Sequence, residues 1–270
     1  MSAEGIEITS DVNAQRIKKY LAEGKRFDGR KPEEFRDLVI EKDVSKKAEG
    51  SVRVRLGKTE VIVGVKLDVG EPYPDSQDKG NLMVTAEILP MCSERVELGK
   101  PGFDSIELGR VIDRGIRESK VIDLKGLCIE EGKKVWTVFI DIYTINDDGN
   151  LLDAAGIGAL AALKIAKIPK YDSKEEKVLY GEHDKSVPLN KINPIAITIH
   201  KIGKNLIVDP TREEEDISET RLTIGISDGN ISSMQKGNSQ TMNLDEIMKA
   251  VDIANNVWKD IFKKLEGLLK

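Results

Sequence analysis

At 270 residues the chain is too long for one minimal domain and too short for three, so one large or two medium domains are expected. Hydrophobic residues at 39%, with aromatics at only 4%, exclude wholesale disorder and predict a core of Val, Ile, Leu and Ala under a charged shell. A net charge of −5 excludes a grip on nucleic acid by bulk charge, so any such grip must be local.

Met1 to Asp11 is acidic and poor in apolar residues, unlike a signal or transit peptide. Ser10 then caps a short helix carrying Ala14, Ile17 and Leu21, with Gly24 as its stop. A polar entry, Arg26-Phe27-Asp28-Gly29-Arg30, leads to a strand at 38–40. Alternation on both sides of Gly57-Lys58 predicts a hairpin of two long strands over 51–68. A further strand spans 82–88, ended by Pro90. Residues 104–119 are helical by period, because Leu108, Val111, Ile112, Gly115 and Ile116 fall at offsets 0, 3, 4, 7 and 8. Residues 134–146 are apolar on both alternating sets, which predicts a central strand covered on both sides. The turn Asp147-Asp148-Gly149-Asn150 precedes an Ala/Gly-rich helix over 151–168.

Residues 171–186 are charged and aperiodic, and read as a linker. The strand pattern then restarts with Ile195, Ile197 and Ile199, a Gly203-Lys204 turn and Leu206 to Val208. Recurrence of a Gly-Lys hairpin half a chain later suggests two similar α+β domains rather than a solenoid. Strands at 221–227 and 231–236, and an amphipathic helix over 244–269, complete the chain.

Two cysteines, Cys92 and Cys128, and two histidines, His183 and His200, rule out a disulfide framework and show no zinc-ligand spacing. No metal or other cofactor is therefore expected. No run of apolar residues is long enough to span a membrane, and the expected setting is cytoplasmic. Neither a Gly-x-Ser-x-Gly elbow nor a phosphate loop is present; Gly57-Lys58-Thr59 sits in a hairpin and has Val52 where the loop needs its first Gly. The run Glu213 to Asp216 reads as a solvated acidic loop, and His200, set among isoleucines, as a packed residue.

One feature carries chemistry. Projected on a helical wheel with Leu108 at the origin, Arg110, Arg114 and Arg117 fall at roughly 200°, 240° and 180°, on one stripe opposite the apolar face. Arginine's planar fork matches phosphate in two-point contacts, so the stripe is a candidate phosphate or RNA surface. The competing reading is a solvated face neutralised by Glu107 and Asp113, with Arg117 placed to pair with Asp113. Arg95 and Lys100, before the helix, are candidate steering charges.

In order along the chain, Arg26-x-Asp28-Gly29-Arg30, Gly50-Ser51, Gly80-Asn81-Leu82, the Arg110/Arg114 helix and Asp209-Pro210 resemble the RNase PH family, and within it the non-catalytic ring subunits of the archaeal exosome. The resemblance implies tandem RNase PH-type domains of the ribosomal protein S5 domain 2-like β-α fold. Residues 1–30 would form an N-terminal helix and entry segment, 31–170 the first domain, 171–190 the linker and 191–270 the second. It also implies a hexameric ring of three heterodimers with a catalytic paralogue, threaded by single-stranded RNA and capped by RNA-binding subunits. By resemblance Arg110, Arg114 and Arg117 hold the RNA backbone.

Phosphorolytic members of that family carry Gly-Arg-Ser/Thr at a helix N-terminus, where backbone N–H groups and a cation hold phosphate. Here that stretch is Asp147-Asp148-Gly149-Asn150-Leu151-Leu152, with no Arg and no hydroxyl. The aspartate those members place before a later strand aligns with Thr220, which cannot serve as an acid near neutral pH. Non-catalytic status follows as the expectation. An active phosphorolytic exoribonuclease and a purely structural ring spacer stand as alternatives.

Overall fold

The computed structural model describes residues 9–269; the acidic stretch before Thr9 lies outside the described residues. Helix α1 (Asp11–Ala22) is capped as its sequence requires, with the Ser10 hydroxyl accepting from the Asn13 amide at 3.4 Å. Its buried Ile17 and Leu21 pack on Ile202 and Ile207 of the second half of the chain.

Strands β1 (Leu38–Lys42), β2 (Gly50–Leu56), β3 (Thr59–Gly70) and β4 (Asn81–Ile88) build the first sheet together with β5 (Cys128–Glu130) and β6 (Lys134–Asn146). Its order is β1-β2-β3-β6-β4, with β5 paired to one end of β6. All pairs are antiparallel except β4 with β6. A parallel pair needs a crossover, and helix α2 (Phe103–Ser119) lies within it. The period places Leu108, Val111, Ile112 and Ile116 of α2 in the core. One expectation fails on β6. Val138, Ile140 and Ile142 are buried, but Tyr143 on the opposite face is exposed. Apolar alternation on both sets therefore does not mean two covered faces here.

Helix α3 (Leu151–Ile165) is buried from Leu152 to Leu163 and packs on β2 and β3. Small residues permit the approach: a Cβ on Gly50 would stand 2.5 Å from the Ala162 carbonyl oxygen, and one on Gly158 2.7 Å from a Val63 methyl. The helix stops three residues before the predicted end. Residues 171–186, expected as a linker, belong to a hairpin formed by β7 (Lys167–Asp172) and β8 (Lys177–Ser186). Most of β8 is exposed, so no buried face exists to impose a readable period on the sequence.

The second sheet contains β9 (Ile195–Ile202), β10 (Asn205–Val208), β11 (Thr220–Ser227) and β12 (Asn230–Gly237), antiparallel throughout in the order β10-β9-β11-β12. The two Gly-Lys hairpins are not equivalent in topology. In the first sheet β3, the later strand, runs inside; in the second β10, the later strand, is the edge. Helix α5 (Leu244–Leu269) covers this sheet through Ala250, Ala254, Trp258, Ile261 and Leu265. Burying Ile261 and Leu265 is worth roughly 1.5–3 kcal/mol each. None of the described helices is long and apolar enough to cross a membrane.

Polar ties fix the halves together. Asp153, in the first turn of α3, is fully buried and accepts from the Thr198 amide at 3.1 Å and its hydroxyl at 2.7 Å. Burial pushes its carboxyl up to about 7, against those hydrogen bonds. His200 on β9 is buried as expected, with Nδ1 3.0 Å from the Ser218 hydroxyl, and burial pushes its imidazole down to about 3.

The entry segment is bound the same way. Arg30 and Arg36 both reach the Asp209 carboxylate, at 2.9 and 2.7 Å. Arg26, wholly buried, pairs with Glu214 and donates to the Val208 and Asp209 carbonyls.

Candidate nucleic-acid interface

The chemistry-bearing stripe is helical, as its period requires, but the structure separates its members. Arg110 is exposed and has no hydrogen bond or ion pair among the described residues. Arg114 is exposed and has one neutral contact, to Gln235 Oε1 of β12 at 3.1 Å. Both line a groove of about 320 Å³ with Phe103, Ile106 and Gln235. The groove's one carboxylate, Glu107, is held by Arg221 of β11 at 2.5 Å. Its charge is thereby balanced from across the cleft, which leaves the two arginines as the groove's uncompensated field. Arg117 stands apart. It forks onto the Asp113 carboxylate at 3.0 and 2.6 Å and donates to the Leu82 carbonyl at 3.0 Å. The i,i+4 pairing visible in the sequence is the one formed.

A second cleft, of about 290 Å³, lies beside the start of α3, between α2, the residues after β4 and the short helix α4 (Arg212–Asp216). This is where a helix N-terminus would present free N–H groups to an anion. The turn is tightly built: Gly149 has φ +86°, and a Cβ there would stand 2.7 Å from the Pro210 carbonyl oxygen. Asn150 follows in the left-handed region.

Two of the turn's donors are already engaged. The Gly149 amide donates to Asp147 Oδ1 at 3.0 Å, and the Asn150 amide to Glu215 Oε2 at 3.1 Å. Glu215 thus stands as an internal anion at the helix start. The cleft's cations are also paired. Arg212 reaches Asp147 at 2.9 Å, and Arg95 forks onto Asp216 at 2.6 and 2.9 Å. Three arginines line this cleft against five carboxylates, so its sign opposes a second anion. Burial raises the Asp147 carboxyl, while Arg212 pulls it down. For Asp216 burial works upward, but the Arg95 and Thr9 hydrogen bonds outweigh it and hold the carboxyl low.

Two sequence expectations are corrected by this cleft. The run Glu213 to Asp216 is not a solvated loop. It is a helical turn in which only Glu213 is exposed, Glu214 is buried on Arg26, and Asp216 binds Arg95 and Thr9. Arg95 is not a steering charge, because Asp216 holds it, whereas Lys100 is exposed. Sequence reasoning missed Glu215 and Arg212 as the groups that close the helix start, since no local spacing links them to Asn150. Thr220 is buried and donates to the Gly237 carbonyl at 3.1 Å, so its hydroxyl is structural.

The sequence matches the 3′ exoribonuclease family, domain 1 over residues 34–169 and domain 2 over 193–257. It is 45% identical over 263 residues to exosome complex component Rrp42 of Thermococcus onnurineus, covering 96% of each chain. It is 46% identical over 267 residues to the protein of that name from Methanosarcina acetivorans, covering 98% of this chain and 97% of that one. Among solved structures, a chain of the Archaeoglobus fulgidus exosome with RNA bound to the active site superposes with a TM-score of 0.87 at 41% identity, over 94% of this chain and 98% of that one.

Proposed function

The chain belongs to the 3′ exoribonuclease family, that of RNase PH, and on that premise we propose that it is a non-catalytic, RNA-holding ring subunit of an archaeal-type exosome. Its partners in this reading are a catalytic paralogue, in a hexameric ring of three heterodimers, and RNA-binding cap subunits; its setting is the cytoplasm. The observation that carries the reading is Glu215 seated on the Asn150 amide, where a phosphorolytic relative would bind orthophosphate. Phosphorolysis needs that anion aimed at an already negative linkage, and this pocket offers it carboxylates instead.

What this chain contributes is position. Arg110 and Arg114, one helical turn apart, hold successive RNA phosphates and set the 3′ end against the partner's catalytic groups, without reading bases. Arg117 belongs to the same stripe but must leave Asp113 to join them, and its share of the grip is the smallest.

Two measurements test the reading. The purified chain alone, incubated with single-stranded RNA and phosphate, is expected to release no nucleoside diphosphate, and robust release overturns the non-catalytic assignment. In the assembled ring, Arg110→Ala with Arg114→Ala is expected to weaken RNA binding and flatten its dependence on salt by about 1.4 in logarithmic slope, at about 0.7 per phosphate for a single strand. An intact ring with unchanged affinity and slope supports the structural spacer instead.

A further inference from the structure

Phe103 is the first residue of α2, is 76% exposed, and belongs to no hydrophobic cluster of the fold. Steps of three, four and four residues place Phe103, Ile106, Arg110 and Arg114 on one stripe, and all four line the same groove. Phe103 and Arg110 are seven residues apart, which sets them roughly 10 Å from one another along the axis. The ring therefore stands at one end of a track whose other end is two uncompensated guanidiniums.

We propose that Phe103 is a stacking platform for one base of the RNA strand whose phosphates Arg110 and Arg114 hold. This rests on the phosphate-holding role given to those arginines above. Grooves that take single strands without sequence preference pair cations along the backbone with aromatic faces for the bases. Every base has such a face, so the contact fixes where the strand lies without selecting its sequence. Charge complementarity favours a polyanion over an apolar protein partner. A protein seated on Phe103 and Ile106 would desolvate Arg110 beside them, and Glu107, the groove's carboxylate, is already committed to Arg221.

The test uses the assembled ring and oligoribonucleotides carrying 2-aminopurine at successive positions. One position is expected to be quenched on binding. Phe103→Ala is expected to abolish that quenching and lower affinity at least about fivefold, with the salt slope unchanged, and Phe103→Trp to restore both. An abasic site at the quenched position is expected to erase the difference between wild type and Phe103→Ala.

Unchanged affinity and quenching in Phe103→Ala, while the arginine pair variant still weakens binding, overturns the stacking and leaves the phosphate reading standing. Weakened ring assembly with unchanged RNA affinity per ring overturns it in favour of a protein contact. If the arginine pair variant also binds normally, both readings fall.

Discussion

Replacing Asp153 with asparagine isolates one buried carboxyl whose titration opposes that of His200. Asp153 stands at about 7 in the fold against 3.8 in the open chain. Between those values the folded state keeps a proton that the unfolded chain has released. Stability from this group is therefore fully present below about pH 4 and declines as pH rises towards 7. His200 stands at about 3 against 6.5. There the unfolded chain holds the extra proton, so that contribution is complete above 6.5 and is lost as pH falls towards 3. In the wild type the two slopes oppose each other through the overlap.

Asparagine keeps one acceptor for Thr198 and cannot ionise. Its fixed cost is a hydrogen bond, and its pH-dependent effect is removal of the Asp153 term. Working from the two values, the variant should gain about 3 kcal/mol relative to wild type between about pH 4.5 and 7.5. Urea unfolding followed by the fluorescence of buried Trp136 and Trp258 reads this directly. A difference between the two proteins that stays constant within about 1 kcal/mol over that range would falsify the claim that the fold holds Asp153 protonated.

Glu214→Ala leaves the Arg26 guanidinium buried with carbonyl partners only, and is expected to cost about 3–5 kcal/mol in chemical denaturation; a loss under about 1 kcal/mol contradicts a buried pair. Gly50→Ala drives a Cβ onto the Ala162 carbonyl and the Ala166 Cα, and is expected to lower stability by about 1–3 kcal/mol, whereas Gly99→Ala, which meets open space, is expected to be silent. Equal melting temperatures for the two would refute the close packing of sheet on helix.

The sequence was most legible where one face of an element is buried and the other wet. The β2–β3 hairpin, α2 and α5 lie close to where their periods place them, and Ser10 caps α1 for a reason local to three residues. The β7–β8 hairpin was illegible because it has too little buried face to impose a pattern. The acidic run misled because what decides its state is far away in the chain. Glu214 meets Arg26 across 188 positions, and Asp216 meets Arg95 across 121. The arginine stripe could be seen as a stripe. That Arg114 meets a neutral amide while Arg117 meets a carboxylate depended on Gln235 and Asp113, of which only the second is a neighbour in sequence. The missing arginine after Gly149 was readable, but its replacement by an internal carboxylate needed the fold.

Helix α3 has consequences for how the molecule can be taken apart. It serves as a wall to both sheets at once, lying on β2 and β3 from one side and on β9 from the other. A fragment ending after residue 165 would carry that wall with one flank stripped bare. A fragment beginning later would keep α5 on its sheet but lose the contact of α3 with β9. The two segments matched by the family are thus halves of a single cooperative body, and a chimaera joining halves from two relatives would have to match along this helix before it could melt as one.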